Sequence, residues 1–175
     1  VLGILFYTLI KTYLLGNDGV VVSTLIGVGA LLILLERHWR LHKQTSTKTL
    51  LTLDTKTLII IGLFQSCSMV PGVSRAAATI VGGMMSGLSR KDAVEFSFFL
   101  AVPTMAAATG LDLIKSAHAF TSTELGLLAV GFTVSWITAF LVIKTFIRFV
   151  ANATFTGFGV YRIIAGVLYW VMISI

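Results

Sequence analysis

Apolar residues run along this chain in long unbroken blocks joined by short polar segments, a pattern of spanning elements more than of amphipathic faces. Residues 20–35 (VVVSTLIGVGALLILL) carry no charge. As a helix they rise about 24 Å, and the amphipathic Trp39 edge brings them near the ~30 Å of a bilayer's hydrocarbon core. A transmembrane helix is therefore predicted over residues 20–36. Residues 93–111 and 125–143 each extend about 28 Å as helices, enough for a full crossing. Residues 155–175 form another candidate span, with Tyr161, Tyr169 and Trp170 as interface anchors. The apolar run at residues 1–15 resembles the end of an earlier membrane helix. No start Met, basic leader or cleavage site precedes it, so the chain is expected to be a fragment.

Residues 58–88 break the pattern. They are too long for one helix and are interrupted at Pro71-Gly72. The halves, 58–70 and 76–88, are each about 20 Å as helices, short of a crossing. Proline lacks an amide donor and disfavours a helical residue before it, while glycine permits turns that other residues resist. Lys56 before the pair and Arg90 with Lys91 after it carry the same sign of charge, so entry and exit on one face is the economical topology. The prediction is a re-entrant helical hairpin, with a single kinked span as the alternative. Irregular backbone at membrane depth must be buried in protein or line a watery cavity, which makes the hairpin tip a candidate site.

Charge supports this topology. The residues are 57% hydrophobic and 11% charged, against about 25% charged in soluble domains. The fold class is all-α integral membrane, a polytopic helical bundle. A net charge of +6 raises the question of nucleic acid, but the basic residues sit at the edges of apolar runs, where they mark cytoplasmic loops. Residues 37–57 form such a loop, with Arg37, His38, Arg40, His42, Lys43 and Lys48 near its start. The loop after residue 111 is charge-balanced and is placed outside; Lys144 and Arg148 place the next one inside. Cys67 is the only cysteine, so no intrachain disulfide forms. Ser89 and Asp92 have the spacing of a capping box, which makes Asp92 structural.

The tip reads Gln65-Ser66-Cys67-Ser68-Met69-Val70-Pro71-Gly72-Val73-Ser74-Arg75-Ala76-Ala77-Ala78-Thr79. An arginine at membrane depth costs several kcal/mol unless it meets an anion or a carboxylate. A guanidinium presents a rigid donor fork suited to phosphate oxygens. If Ala76 opens the second half-helix, its free amides and positive dipole end converge on the same place. The bland alternative pairs Arg75 with a carboxylate of a neighbouring helix. Ser74 alone reads equally as a helix cap, Thr79 as a back-bonded hydroxyl, and Gln65 as a buried amide pinning the hairpin. Arg162 reads as snorkelling or paired within the bundle, and Glu95 as interfacial or paired. The histidines lie in loops and give no metal cluster.

Pro71-Gly72-Val73-Ser74-Arg75 with Thr79, then Gly82-Gly83-Met84 and the run from Glu95 to Pro103 (EFSFFLAVP), resemble the second signature of the bacitracin-resistance undecaprenyl-diphosphatases. The resemblance implies one half of an inverted-repeat fold in the bacterial cytoplasmic (inner) membrane. It implies hydrolysis of undecaprenyl diphosphate to the monophosphate, recycling a polyprenyl lipid carrier for cell-wall synthesis and conferring bacitracin resistance. On this chain Arg75 and Ser74 would be catalytic, and Arg75, Ser74, Thr79, Gly72 and Gln65 would bind substrate. The family pattern is PGxSRSGAT; Ala76 and Ala77 replace its second Ser and its Gly. The family's other signature supplies carboxylates for a divalent metal (Mg or Ca), a histidine and a serine nucleophile. It would belong to a missing N-terminal half of the same protein. The fragment alone is therefore expected to be inactive. The competing expectation is a transporter or flippase for an anionic lipid or phosphate-bearing substrate, since broken helices aimed at an anion are also a transporter device.

Overall fold

The computed structural model describes residues 10–14, 16–41, 47–116 and 121–174. Of the helix expected over residues 1–15, only a π-helical turn at Ile10–Leu14 falls among them. His42, Lys43 and His118 lie outside the described residues. Among the described residues six α-helices follow: α1 (Asp18–Leu41), α2 (Thr55–Ser66), α3 (Arg75–Met85), α4 (Arg90–Ser116), α5 (Ser122–Asn152) and α6 (Phe155–Ser174). Four of them, α1, α4, α5 and α6, are long and apolar enough to cross a membrane, as an all-α multi-pass membrane protein requires.

Helix α1 runs past the apolar block, so Arg37, His38 and Arg40 lie on its last turns and not in a loop beginning at residue 37. The reason is local: the Arg40 guanidinium reaches back 3.3 Å to Glu36, one turn earlier, and supports the added turn. Helices α1 and α6 pack antiparallel. The Tyr169 hydroxyl meets Asp18 at 2.6 Å at one end, and Glu36 accepts from the Phe155 amide at 3.2 Å at the other. Between them the backbones meet at glycines. A Cβ on Gly159 would stand 2.6 Å from the Gly29 carbonyl oxygen, and one on Gly29 would stand 2.8 Å from that of Gly159. Small residues are what permit such an approach inside a bilayer.

The short helices α2 and α3 form a pair. Their mutual packing is close enough that a Cβ on Gly82 would lie 2.9 Å from the Phe64 side chain. The outer ends of the pair are tied together. The Thr47 and Lys48 amides donate to the Gly87 carbonyl just beyond α3, and Lys48 Nζ reaches Asp54 at 2.8 Å and Thr57 at 2.6 Å at the start of α2. Asp54 caps α2 through the Thr57 amide. The hydrogen bond from Lys48, with help from Thr57, holds the Asp54 carboxyl far below the usual carboxylate range.

One end of the bundle is organised by Glu36, a buried carboxylate. Arg90 at the head of α4 bonds it at 2.6 Å, and also donates to the Ala153 carbonyl. The same guanidinium sits 4.3 Å over the Phe155 ring. Glu36 thus gathers the end of α1, the start of α4 and the α5–α6 joint. Ser89 accepts from the Asp92 amide at 3.1 Å, while the Asp92 carboxylate takes the Ser89 hydroxyl at 2.7 Å in place of the backbone amide of a full capping box. Lys91 and Glu95 lie 3.9 Å apart on α4. The core beside α2 and α3 is Ile61, Val81, Met84, Leu88 and Val94. Phe99, Phe132 and Phe140 point outward, as residues facing lipid do.

Candidate active site

The turn between α2 and α3 carries the residues singled out in the sequence. After a 3-10 turn at Cys67–Met69, the chain reverses through Pro71 and Gly72. Gly72 has φ +87°, and a Cβ there would stand 2.1 Å from the Thr24 hydroxyl and 2.9 Å from the Val21 carbonyl of α1. Glycine is needed both for the left-handed backbone and for the close approach. Two helices hold this turn by its carbonyls. Thr24 of α1 donates to Pro71 at 2.6 Å, and Arg162 of α6 donates through Nη2 to Gly72.

Ser74 caps α3, its hydroxyl oxygen accepting the Ala77 amide at 3.2 Å. That interaction uses a lone pair and leaves the hydroxyl proton for an incoming acceptor. The amides of Arg75 and Ala76, in the helix's first turn, have no partner among the described residues. The half-buried Arg75 guanidinium donates through Nη1 to Thr104 Oγ1 at 2.8 Å. Among the described residues it forms no ion pair with a carboxylate, so the neighbouring-acid alternative is not what the structure contains.

A cavity of about 300 Å³ opens beside this helix start. Ser74, Arg75 and Ala76 line it from α3, and Tyr161 with Arg162 from α6. Apart from Ser97 of α4 the remaining wall is apolar, including Leu32, Ile80, Phe98 and Phe158. Two arginines therefore border one small, largely apolar space, an arrangement that suits an anionic headgroup joined to a hydrocarbon. Ala76 presents only a methyl group where the resembled motif has a hydroxyl.

The other predicted residues sit elsewhere. Thr79 is buried, with its hydroxyl 3.1 Å from the Arg75 and Ala76 carbonyls and 2.7 Å from Ser97 Oγ of α4. It is tied into the α3–α4 contact, and Ser97, not Thr79, borders the cavity. Gln65 lies half-buried in the last turn of α2 and accepts at its backbone carbonyl from Ser68 at 2.6 Å; its side chain is not part of the cavity wall. Gly72 contributes backbone geometry and lies outside that wall.

Thr24 and Thr104 gave no signal in the sequence, because single threonines inside apolar helices are common back-bonded hydroxyls. Arg162 did give one, as a charge within a span. It bonds within the bundle, as expected, and also borders the cavity, which was not. No group of three or more His, Cys, Asp or Glu side chains able to hold a metal ion occurs among the described residues. Glu36 and Glu95 are each engaged with basic side chains. These residues do not fit a divalent metal site.

Comparison with known proteins agrees with the motif. Residues 1–168 match the family model described as bacitracin resistance protein BacA. The chain is 46% identical over 169 residues to an undecaprenyl-diphosphatase of Aquifex aeolicus, covering 97% of this chain and 65% of that protein. It is 41% identical over 174 residues to an undecaprenyl-diphosphatase of Fusobacterium nucleatum, covering 99% and 65% respectively. A protein of Pseudoalteromonas translucida named undecaprenyl-diphosphatase 2 is 45% identical over 169 residues, covering 96% and 64%. The chain thus spans about 65% of the length of the curated relatives it matches.

Proposed function

The chain belongs to the bacitracin resistance protein BacA family, and from that membership we propose that the protein hydrolyses undecaprenyl diphosphate to undecaprenyl phosphate and inorganic phosphate. The observation that carries the reading is the meeting of an acid-free Arg75, the Ser74 hydroxyl and the open amides of α3 at an apolar-walled cavity. In this reading the terminal phosphoryl group lies at the start of α3. Arg75 takes its oxygens, the Arg75 and Ala76 amides add fixed donors, and the Ser74 proton completes the cradle. As water bonds to the terminal phosphorus, the bridging P–O bond breaks and its electron pair leaves with undecaprenyl phosphate, while donors fixed beforehand hold the transferring phosphoryl oxygens without reorganising. The apolar wall takes the first part of the prenyl chain.

The α2–α3 pair is read as re-entrant, with its tied outer ends at one membrane face and its turn near the midplane; the bonds from Lys48 to both halves support this. The site is assigned to the bacterial cytoplasmic membrane, and the reaction serves lipid-carrier recycling in cell-wall synthesis and bacitracin resistance. Thr79 supports the cradle from behind through its bonds to the Arg75 and Ala76 carbonyls. The described residues give no place for the divalent metal that the family resemblance implies, so no step is assigned to one. Residues 1–175 by themselves are accordingly expected to release no phosphate.

The test is phosphate release from undecaprenyl diphosphate in detergent micelles by the protein at its full encoded length. Wild type releases phosphate, and Arg75→Ala lowers the rate by roughly a hundredfold or more. An Arg75→Ala protein with undiminished turnover overturns the assignment. If the wild type instead moves the diphosphate lipid across vesicles without releasing phosphate, transport replaces hydrolysis.

A further inference from the structure

We propose that Thr104 is a positioning residue that sets which edge of the Arg75 guanidinium faces the phosphoryl group. This rests on the reading of Arg75 as an anion-binding group and adds a residue that the motif does not contain. Thr104 lies on α4, next to Pro103 inside the helix. Its Oγ1 is 2.8 Å from the Leu100 carbonyl and 3.0 Å from that of Ala101. A hydroxyl has one proton, and these carbonyls can only accept it. The oxygen is thereby left as an acceptor, and Arg75 Nη1 occupies it at 2.8 Å. The polarity of this contact is fixed from within α4.

The consequence follows from the shape of the guanidinium. Its five N–H bonds lie in one plane, and the Nε–Nη2 edge offers two parallel donors matched to two oxygens of one phosphoryl group. Thr104 engages Nη1, the nitrogen outside that edge. Among the described residues neither Nε nor Nη2 of Arg75 has a hydrogen-bond partner. Thr104 therefore fastens the guanidinium by its spare nitrogen and leaves the paired edge for the ligand. Without this acceptor the side chain rotates among rotamers, and the edge must be ordered each time a ligand binds, which weakens binding more than it alters the bound chemistry.

The experiment compares wild type, Thr104→Ser and Thr104→Val at full encoded length, with two readouts. One is KM and kcat for undecaprenyl diphosphate; the other is the Kd for inorganic pyrophosphate by titration calorimetry. Thr104→Val keeps the shape and removes the acceptor. It is expected to raise KM and the pyrophosphate Kd roughly tenfold, the scale of one hydrogen bond to a charged group, while kcat stays within about threefold. Thr104→Ser is expected to stay within about twofold of wild type in both. If Thr104→Val matches wild type in KM and Kd, the proposal is overturned. If Thr104→Ser is as impaired as Thr104→Val, the role is packing and the proposal is again overturned. A wild type that binds pyrophosphate but releases no phosphate overturns the hydrolase reading alone, and the Kd ratio still decides Thr104. A wild type that does neither overturns both.

Discussion

Arg162 of the last helix donates from Nη2 to the carbonyl of Gly72, two residues ahead of Ser74, and so fastens the turn that presents Arg75. Arg162 is also among the residues that line the cavity. One residue thus holds the turn and borders the space beside it.

Replacing that residue tests both roles. Arg162→Met is expected to lower kcat/KM for undecaprenyl diphosphate at least tenfold, since a hydrogen bond to a charged group contributes about 1.5–3 kcal/mol. Arg162→Lys should recover part of the charge effect but not the fork geometry. Steady-state kinetics on both variants checks this. Equal activity in Arg162→Met and wild type would falsify the role.

Glu36 should matter for stability more than for turnover. Glu36→Gln leaves Arg90 in its partly buried position without a counter-charge, and removing one member of such a pair costs about 3–5 kcal/mol when it is fully enclosed. Arg90 retains some solvent, so a loss at or below the lower end is expected. It would be read as a lowered Tm in detergent, with KM for substrate nearly unchanged.

The glycine contact between α1 and α6 has no room for a side chain. Gly159→Val is expected to cost at least 1–3 kcal/mol by overpacking. Because the two helices carry Thr24 and Arg162, the same change should lower activity as the turn loses its supports. Thermal unfolding and turnover, measured together, check the link.

Asp54 gives a pH dependence whose sign is fixed. Its folded-state pKa is depressed, chiefly by the Lys48 hydrogen bond. Its contribution to stability is therefore complete above the ordinary aspartate value of about 3.9 and is lost as pH falls toward the depressed one. The Tm difference between wild type and Asp54→Asn should be constant from pH 7 to about 5 and shrink in stronger acid. A difference that vanishes between pH 7 and 5 contradicts this assignment.

Much of the architecture was legible because lipid imposes it. Span lengths follow from apolar runs, and the break at Pro71-Gly72 follows from two residues with unusual backbones. Ser74 was legible as a cap because its oxygen is followed by a helix-forming alanine run. The tertiary partners were not. Nothing in the local sequence distinguishes Thr104, which accepts from Arg75, from Thr133, which only bonds back to Ala129. Thr79 read as a site hydroxyl, yet its choice of Ser97 depends on how α3 lies on α4. The extent of α1 was underestimated because apolar content ends at Leu35 while the Glu36–Arg40 pair carries the helix onward.

The anchors of the Pro71-Gly72 turn come from both sides of it in the sequence, Thr24 before it and Arg162 long after it. During synthesis the turn emerges long before α6 does, so a nascent chain holds it by the Thr24 anchor alone. Its second anchor arrives when α6 settles against α1. The geometry of this turn is thus a property of the packed bundle and not of the local sequence that forms it.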